Sequence, residues 1–435
     1  MNIFTKPRGT RDFMPPEMDL RINVMHEIEN VFKLFNFKSW DGPAFETLET
    51  LQAKAGPSVE HEIYNFQDKG GRNLGLRFEL TTSISRIVAN YPNLSKPLKT
   101  YSIGKVWRYE RPQEGRYREF IQADVDIFGS ENKACECELL LVAKEVMDLI
   151  GFNDYKVYLN NRKILRAQAQ LAGISTDKSS DAFRCLDKLK KIGYEGVREE
   201  FIQNGLSETN FIRMMELLVM DGTNDSKLAR TYSLLEPNQL GMEGIAEIKE
   251  ILNNLKTTDL KDRIVFDQSL VRGLDYYTGP IFEIEISSGK EVGSISGGGR
   301  YDELVEKFGG QPTTAVGISF GIERIIDLVK KDLDKSKRFE VQAPKIQIIY
   351  QSDLLSRALE LASHLRARKI KTDLDVNSRS FKKQFQLAAQ NSADFAVIIG
   401  EDELASDTYT LKDLKTNEQI NMSFSNLLRK VSKNE

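Results

Sequence analysis

Alternating apolar and polar positions mark two stretches in the first third of the chain, residues 99–109 and 119–128. Both stretches are rich in β-branched and aromatic residues, which is typical of strands with one buried face. The loop between them, residues 111–118, is basic and carries Pro112 and Gly115, two residues that favour turns. The pattern therefore predicts an antiparallel hairpin.

One face of this hairpin is strongly polar. A strand face that only closes a hydrophobic core carries few polar side chains, because burying them without partners is unfavourable. Here the inward positions are predicted to be Arg108, Glu110, Phe120, Gln122, Asp124 and Asp126. We therefore expect this face to bind a ligand.

A helical pattern precedes the hairpin over residues 17–35. Apolar residues recur there with the spacing of one helical face, at Val24, Ile28, Val31 and Phe35. A short predicted strand follows and ends at Pro43. The helix can pack on its own core, as amphipathic helices generally do, or form a dimer interface, and the pattern leaves both alternatives open.

Residues 74–90 begin as a predicted strand and continue as a helix. Thr81, Thr82 or Ser83 can serve as the N-cap, because a side-chain hydroxyl accepts hydrogen bonds from the first turn. Glu79 lies at the transition between the two elements. It is either an ordinary surface carboxylate or a group placed to bind an ammonium ion.

The pattern becomes entirely helical between residues 161 and 256. Leu, Ile and Met recur there at helical spacing among many lysines and glutamates, which predicts a helical insertion with a largely solvated charged face. Strand patterns return at residues 263–266 and 271–286. The insertion therefore separates two parts of a sheet-rich domain.

Two glycine-bearing segments follow. The run Gly297–Gly299 forms either a bulge or tight turn, or a close approach of the backbone to a ligand or another strand. Further on, a strand passes into a helix with Gly321 at the junction and Arg324 in the first turn. A helix N-terminus beside a cation suits phosphate, although the glycine spacing alone is a weak signal.

The last part of the chain forms a separate unit. Residues 332–343 are polar and charged, which predicts a linker. From residue 346 onward strands and helices alternate, so we expect an α/β domain with a largely parallel sheet.

Composition narrows the class of protein without identifying it. A length of 435 residues suggests two or three domains, and 40% hydrophobic with 29% charged residues is ordinary for a globular chain. The formal net charge of −3 gives no global signal for nucleic-acid binding. No apolar run approaches the roughly 20 residues that span a bilayer, and the start lacks a signal-peptide core, so we expect a cytoplasmic protein without a membrane partner.

The three cysteines add a further expectation. Three cannot pair completely, and Cys135, Cys137 and Cys185 lack zinc-site spacing in a chain with three histidines. We expect no disulfide and no structural metal.

The candidate site residues of the first sheet-rich region combine cations with carboxylates. They are Glu79, Arg108, Glu110, Arg116, Phe120, Gln122, Asp126, Arg272, Tyr277, Tyr301 and Arg324. Such a set fits a ligand with both negative and positive groups, because the planar guanidinium donates two hydrogen bonds at once to phosphate. Neither a Walker-type GxxxxGK[ST] nor a strand-led GxGxxG occurs, which leaves a sheet-based nucleotide site.

Five signatures in the chain resemble histidyl-tRNA synthetases, and the similarity extends over nearly the whole sequence. They are GTRDF at 9–13, WRYERPQEGRYREFIQADVDIFG at 107–129, VRGLDYYTG at 271–279, GGGRYD at 297–302 and GISFGIER at 317–324. The hairpin is similar to class II motif 2, the helix and strand ending at Pro43 to motif 1, and GISFGIER to motif 3. VRGLDYYTG and GGGRYD are more specific than these general motifs and narrow the amino-acid substrate to histidine.

The resemblance implies the class II synthetase fold, an α+β catalytic domain on a mainly antiparallel sheet flanked by helices. It also implies a C-terminal α/β anticodon-binding domain. The expected boundaries are 1–160 and 257–331 for the two parts of the catalytic domain, 161–256 for the helical insertion, 332–343 for the linker and 344–435 for the anticodon-binding domain.

The resemblance further implies a role for each candidate residue on the ATP side. Arg108 would bind the α-phosphate and Glu110 the adenine amino group. Phe120 and Arg324 would enclose the adenine ring, and Arg116 would reach the terminal phosphates. Magnesium would accompany the nucleotide and neutralise its phosphates.

On the histidine side, the resemblance assigns Glu79, Thr81 and Gln122 to the ammonium group. Asp126 and Tyr277 would bind the imidazole, whose two nitrogens each need a hydrogen-bond partner, and Tyr301 would close the pocket. Arg272 would face the α-phosphate and the substrate carboxylate and stabilise the negative charge that grows in the transition state.

Two features depart from many bacterial members. The chain has LRFELT where they have LRPEGT, and Asp126 where they have glutamate. Both choices resemble the archaeal and eukaryotic branch, and they shorten the imidazole pocket by one methylene.

Two functions remain to be weighed. The leading hypothesis is an ATP-dependent histidine–tRNA ligase that acts as a homodimer. The alternative is a synthetase-like regulatory subunit of a histidine-biosynthetic phosphoribosyltransferase. Such subunits typically lack the C-terminal domain and have eroded motifs, whereas Arg108, Glu110, Arg272 and Arg324 are present here.

Overall fold

The computed structural model describes residues 4–55, 60–113, 115–273, 276–286, 293–339 and 345–431. The chain divides into two compact units, Met1–Glu340 and Val341–Glu435. Each unit is described by itself below.

The first part of unit 1 contains the predicted hairpin and the elements around it. Its helices and strands are α1 (Glu17–Leu34), β1 (Lys38–Ser39), β2 (Phe45–Thr47), α2 (Leu48–Ala55), β3 (Asn65–Gln67), β4 (Asn73–Leu76), α3 (Thr81–Asn90), β5 (Leu98–Trp107), β6 (Glu119–Phe128), α4 (Ala134–Ile150) and β7 (Tyr155–Asn161). Strands β2, β4 and β3 form a small antiparallel sheet.

A series of helices follows, as the sequence pattern predicts. They are α5 (Arg162–Leu171), α6 (Ser179–Leu186), α7 (Leu189–Gln203), α8 (Glu208–Leu218), α9 (Asn224–Leu235) and α10 (Gln239–Leu255). Side chains of Asn161, Ser207, Thr223 and Asn238 accept hydrogen bonds from the first turns of α5, α8, α9 and α10. These caps explain where the four helices begin.

The chain then returns to the sheet and completes unit 1. The elements are β8 (Ile264–Phe266), β9 (Pro280–Ile286), β10 (Ser294–Arg300), α11 (Leu304–Lys307), β11 (Ala315–Gly321), α12 (Ile322–Lys330) and α13 (Leu333–Arg338). The large sheet has eight strands among the described residues, in the order β1-β5-β6-β11-β10-β9-β7-β8. Its edge pairs β1–β5 and β7–β8 are parallel, and the pairs between them are antiparallel.

The alternation along β6 determines which face of the sheet is covered. Ala123, Val125 and Ile127 point into the main hydrophobic core, together with apolar residues of α1, α4, α10 and α12. Their neighbours Gln122 and Asp126 therefore lie on the opposite face of the strand. The polar face predicted from the sequence is thus the face away from this core.

The helical segment shares cores with the sheet. Residues of α5, α9 and α10, such as Ile164, Leu228 and Ile248, belong to the main core. Residues of α6 and α8, such as Phe183 and Phe211, pack in a second core with side chains of the chain's later tyrosine-rich segment. The helical segment therefore packs on both faces of the large sheet.

Unit 2 is an α/β domain with a mixed sheet. Its elements are β12 (Lys345–Tyr350), α14 (Leu355–Ala367), β13 (Lys371–Leu374), α15 (Phe381–Gln390), β14 (Phe395–Ile399), α16 (Glu401–Ser406), β15 (Tyr409–Asp413), β16 (Gln419–Met422) and α17 (Phe424–Val431). The strand order is β13-β12-β14-β15-β16. The pairs β13–β12 and β12–β14 are parallel, whereas the pairs β14–β15 and β15–β16 are antiparallel, so the sheet is less parallel than the sequence pattern predicted. Unit 2 has a hydrophobic core of its own.

Several elements differ from the sequence pattern. The predicted strand over 271–286 begins only at Pro280, and Arg272, near the start of the predicted segment, has φ of +55°, which an extended strand does not allow. Residues 333–338, inside the predicted linker, form helix α13, whose start is capped by Asp332. The sequence pattern did not predict the short helix α16. Within the described ranges, no helix combines the length and apolar composition needed to cross a membrane.

Candidate active site

The polar face of the large sheet borders a cavity of about 280 Å³. Seven of the twelve residues that the resemblance assigned to the site line it: Arg108, Glu110, Arg116, Phe120, Gln122, Arg272 and Arg324. The other five are buried side chains that do not line it: Glu79, Thr81, Asp126, Tyr277 and Tyr301. The structure therefore separates an open, arginine-rich subsite from a buried one.

The hairpin holds Arg108 against an aromatic ring. Strands β5 and β6 pair without interruption from Leu98 opposite Phe128 to Trp107 opposite Glu119. Just beyond, Arg108 Nε donates to the Phe78 carbonyl at 2.9 Å. Arg108 Cζ lies 5.2 Å from the centre of the Phe120 ring. This arrangement places a cation and an aromatic surface together in the cavity wall.

Acidic side chains accompany these cations. Arg116 Nη1 lies 3.6 Å from Glu110 Oε2. Burial, and next the charge of Glu110, raise the pKa of the nearby Glu62 carboxyl, against the opposing influence of Arg108 and Arg116. Positive and negative groups therefore alternate at this end of the cavity, which suits a ligand with phosphates and an amino group.

Glu323 anchors the helix that carries Arg324. Its carboxylate accepts two hydrogen bonds of 2.6 Å from the fully buried Arg21 of α1, and one more from Arg11. Such a bidentate, charge-assisted pair fixes geometry as well as charge. Arg11 belongs to the GTRDF signature and its Cζ lies 3.5 Å from the centre of the Tyr117 ring in the hairpin loop. The N-terminal signature thus joins the motif 2 and motif 3 segments.

Arg324 lies at the start of α12 and lines the cavity. Its Nη1 donates to the Ser294 carbonyl. Burial, and next the positive charge of Arg116, lower the pKa of Arg324. Two arginines that disfavour each other's charge are favourable neighbours for a polyanion, because it relieves their repulsion.

Arg272 lies between the two subsites. Its Nη1 is 3.7 Å from Glu283 Oε1, and its Cζ is 5.8 Å from the centre of the Tyr277 ring. Its φ of +55° is uncommon for a residue with a Cβ. Strained backbone of this kind is frequent at functional sites.

The glycines of β10 and β11 make room for these side chains. A Cβ on Gly297 would lie 1.9 Å from Arg272 Nη1, and one on Gly299 would lie 2.9 Å from Tyr277 Cδ1. In β11, a Cβ on Gly317 would lie 1.9 Å from Asp126 Oδ1. Of the two alternatives for the Gly297–Gly299 run, the structure contains a close approach to another strand, because a Cβ on Gly298 would lie 2.0 Å from the Gly317 carbonyl oxygen of β11.

The buried subsite is built from tyrosines around Asp126. The Tyr301 hydroxyl donates to Asp126 Oδ1. Burial, and next the Asp126 charge, raise the pKa of Tyr301 well above its usual range, so this hydroxyl keeps its proton. The Tyr276 ring lies 4.5 Å from the Tyr277 ring and 5.9 Å from the Tyr301 ring, measured between centres. The result is a buried aromatic compartment around the Asp126 carboxylate, and the buried Glu79 carboxylate is near enough to raise the pKa of Tyr276 and Tyr301 further.

The start of α3 corrects one prediction. The N-cap is Leu80, and Thr81, Thr82 and Ser83 already lie inside the helix. The carboxylate of Glu79 takes over the capping function, because its Oε1 accepts the Thr82 N–H at 2.8 Å and the Thr82 hydroxyl. Glu79 is buried, with 7% exposure, so it is not the surface carboxylate that one alternative allowed.

Three acidic residues near the site escaped the sequence argument: Glu62, Glu283 and Glu323. Glu283 could have been found, since Glu283 and Glu285 alternate with apolar residues along β9 and so share one face of the strand. Glu62 and Glu323 gave no local signal. Their positions depend on segments far away in the sequence.

The arrangement of His, Cys, Asp and Glu side chains bears on metal binding. Among the described residues, no group of three or more His, Cys, Asp or Glu side chains is arranged to hold a metal ion. All three cysteines are free and buried.

Comparisons with known proteins agree over the full length of the chain. A family model described as histidyl-tRNA synthetase matches residues 9–325, and one described as an anticodon binding domain matches residues 344–434. A histidine–tRNA ligase of Bacteroides fragilis is 34% identical over 98% of both chains. A histidine–tRNA ligase of Pyrococcus horikoshii is 34% identical over 98% of this chain and 97% of its own.

Solved structures give the same picture of the fold. The crystal structure of histidyl-tRNA synthetase from Nostoc sp. PCC 7120 superposes with a TM-score of 0.80 at 27% identity, over 99% of both chains. The class II synthetase fold expected from the sequence is therefore confirmed, together with the anticodon-binding domain. The chain belongs to the histidyl-tRNA synthetase family.

Proposed function

We propose that the two subsites bind ATP and histidine in an ATP-dependent histidine–tRNA ligase, the activity that goes with this family. Histidine and ATP give histidyl-adenylate and pyrophosphate, and the histidyl group then passes to the 3′-terminal adenosine of the tRNA. One observation carries the assignment of roles: Arg272 lies between an arginine-lined cavity and the buried Asp126–Tyr301 pair.

ATP occupies the open cavity in this proposal. Arg108 binds the α-phosphate and Arg116 the terminal phosphates, while Glu110 accepts from the adenine amino group. Phe120 and Arg324 enclose the adenine ring. The alternation of cations, carboxylate and aromatic ring in the cavity wall supports these roles.

Histidine occupies the buried compartment and its entrance. Glu79, Thr81 and Gln122 bind the ammonium group, and Tyr277 and Asp126 bind the two ends of the imidazole. The Tyr301 hydroxyl fixes the Asp126 carboxylate, which leaves that carboxylate oriented to accept an imidazole N–H. The compartment is aromatic and small, which favours a flat ring.

No side-chain nucleophile takes part in activation. A carboxylate oxygen of histidine attacks the α-phosphorus, the new P–O bond forms, and the bond to pyrophosphate breaks with its electron pair. Negative charge grows on the α-phosphate oxygens during this step. Arg108 and Arg272 stabilise it, because preformed cations in a water-poor site act strongly on developing charge.

Magnesium enters with the nucleotide. Mg²⁺ in nucleotide sites is commonly held by one or two carboxylates together with the phosphates. Glu283 is a carboxylate in the cavity wall that would supply such a ligand. The ion would neutralise part of the phosphate charge.

The remaining partners in this proposal are the tRNA and a second copy of the chain. The C-terminal unit contacts the tRNA anticodon region, as its family match indicates, and the enzyme works in the cytoplasm as a homodimer. Two features of α1 and the sheet edge support dimerisation: a shallow cavity lies between α1 and the edge pair β1–β5, and Ile22 and Leu34 of α1 are 49% and 83% exposed. Light scattering should give twice the mass of the chain.

The regulatory-subunit alternative is not favoured. Residues 344–434 match an anticodon binding domain, and the full-length relatives reported above are ligases. The archaeal and eukaryotic character of the site stays a prediction, since the bacterial and the archaeal relative are equally identical to the chain.

Amino-acid-dependent pyrophosphate exchange tests the proposed function. With labelled pyrophosphate, ATP and one amino acid at a time, we expect exchange with histidine alone, before any tRNA is added. Addition of histidine tRNA should then yield charged tRNA. Exchange supported by another amino acid, or by none, would refute the proposal.

Asp126→Asn should raise the KM for histidine and leave the KM for ATP nearly unchanged. The amide keeps the size of the side chain but removes the charged acceptor, and a hydrogen bond to a charged group contributes about 1.5–3 kcal/mol, or roughly tenfold to a hundredfold in KM. Steady-state pyrophosphate exchange gives both constants. Asp225→Asn, an exposed aspartate of α9, is the control, and an unchanged histidine KM would remove Asp126 from the imidazole subsite.

A further inference from the structure

The junction of β7 and α5 holds the loop that carries Arg272. Asn160 Nδ2 donates to the carbonyls of Gln268 and Leu270, at 3.1 and 2.9 Å. Arg162 Nη1 donates to the carbonyls of Val271 and Arg272, at 3.2 and 3.3 Å. We call residues 267–273 the arginine loop. Four of its carbonyl groups are bound by two side chains, Asn160 at the end of β7 and Arg162 at the start of α5.

Arg162 is itself fixed. It is 1% exposed, and its Cζ lies 4.3 Å from the centre of the Phe183 ring of α6. Its own N–H donates to the Gly279 carbonyl at 2.8 Å. A buried guanidinium stacked on a ring and bonded to backbone oxygens has little freedom, so it transmits the position of α5 and α6 to the loop.

Asp187 approaches the same loop from the end of α6. A Cβ on Gly273 would lie 3.0 Å from Asp187 Oδ2, so the carboxylate approaches the loop backbone closely at this glycine. The carboxylate also lies in the field of Arg272: burial raises the pKa of Asp187, and the Arg272 charge opposes that rise. The loop is thus held from both ends of the α5–α6 pair.

These contacts hold Arg272 in an unfavourable backbone conformation. Its φ of +55° is disfavoured for a residue with a Cβ, and such a conformation persists only where the surroundings hold it. The two Arg162 hydrogen bonds bind the carbonyls on both sides of the Arg272 nitrogen and α-carbon. The Arg272 guanidinium then reaches the space that Gly297 leaves open.

We propose that Arg162 and Asp187 are positioning residues for histidine activation, which hold Arg272 in its left-handed conformation and so make the helical segment part of the adenylation machinery. This inference rests on the role of Arg272 in the proposed function. It assigns the helical segment a task in the first half-reaction, before any contact with tRNA.

A double-mutant cycle with Arg272 tests the proposal. Arg162→Gln should lower kcat of histidine-dependent pyrophosphate exchange by at least about tenfold with little change in the KM for ATP, since a small misplacement of a catalytic group is costly. In an Arg272→Ala background, the same substitution should change kcat by less than about twofold, because residues that act through one another are non-additive. An equal fold-change in both backgrounds would overturn the proposal.

A second variant covers the case in which Arg162→Gln does not fold, as judged by circular dichroism. Asp187→Asn keeps the shape of the side chain and removes its charge, and it should also lower kcat, again only when Arg272 is present. Asp221→Asn, at an exposed aspartate of the helical segment, is the matched control and should retain full kcat. An Asp187→Asn enzyme with the kcat of the control would overturn the role of Asp187.

The outcomes separate this inference from the proposed function. If Arg272→Ala alone retains full activity, the proposed role of Arg272 fails. If Arg272→Ala is strongly impaired and Arg162→Gln lowers its residual kcat by the same factor as in the parent enzyme, only the positioning role fails.

Discussion

Arg272→Ala is expected to fold normally and to lose more than roughly a hundredfold in the rate of histidyl-adenylate formation, the loss typical of removing a charge partner of the transition state. The side chain lies between the ATP cavity and the histidine compartment, next to Tyr277 and Glu283. A cation there faces the α-phosphate as its oxygens gain charge. Alanine removes the cation and leaves the backbone carbonyls at positions 271 and 272, which accept from Arg162, in place.

The measurement is histidine-dependent pyrophosphate exchange at saturating ATP and histidine, so that the loss is read in kcat. Arg230→Ala is the matched control, because Arg230 is an exposed arginine of α9. The unfolding midpoint of both variants should stay close to that of the parent chain. Near-normal exchange by Arg272→Ala would exclude the role proposed for this residue.

The sequence predicted the hairpin and its polar face because a strand has a period of two. Once residues 119–128 are taken as a strand, Gln122 and Asp126 must share a face, and Ala123 and Val125 must share the other. Strand β6 has this arrangement. Local pattern was sufficient here, since neither the partner strand nor the ligand needed to be known.

The site beyond the hairpin depended on contacts between distant segments. The pattern around Arg272 predicted a strand, whereas its left-handed backbone is held by Asn160 and Arg162, about a hundred residues earlier. The capping role of Glu79 was missed for a different reason: the hydroxyl residues after it had the right propensity, and the carboxylate made the bond instead. Propensity indicates which residues can cap a helix, and contacts in the folded chain determine which of them does.

The N-terminal signature shows the same limit. GTRDF identified the family but suggested no task for Arg11. The structure pairs Arg11 with Glu323, which also binds the buried Arg21 and precedes Arg324. Removing one member of such a buried ion pair leaves an uncompensated charge, which explains why these three residues must be considered together.

Deleting residues 344–435 should reduce kcat/KM for tRNA charging by roughly a hundredfold or more, because one of two linked binding contacts to the same molecule is lost. Histidine activation should change by less than about twofold, since sites without shared contacts act independently. The structural basis is the division of the chain: unit 1 contains every residue assigned to adenylation, and unit 2 has a separate sheet and core.

Charging and pyrophosphate exchange are to be measured on the same truncated preparation, so that a loss of folded enzyme would appear equally in both assays. The KM for tRNA should carry most of the charging defect. Equal losses in charging and exchange would mean that unit 2 supports the fold of unit 1 and is not a binding domain. A selective loss of charging would instead place the C-terminal contribution in tRNA binding, since activation needs only Arg108, Arg272 and the residues around them.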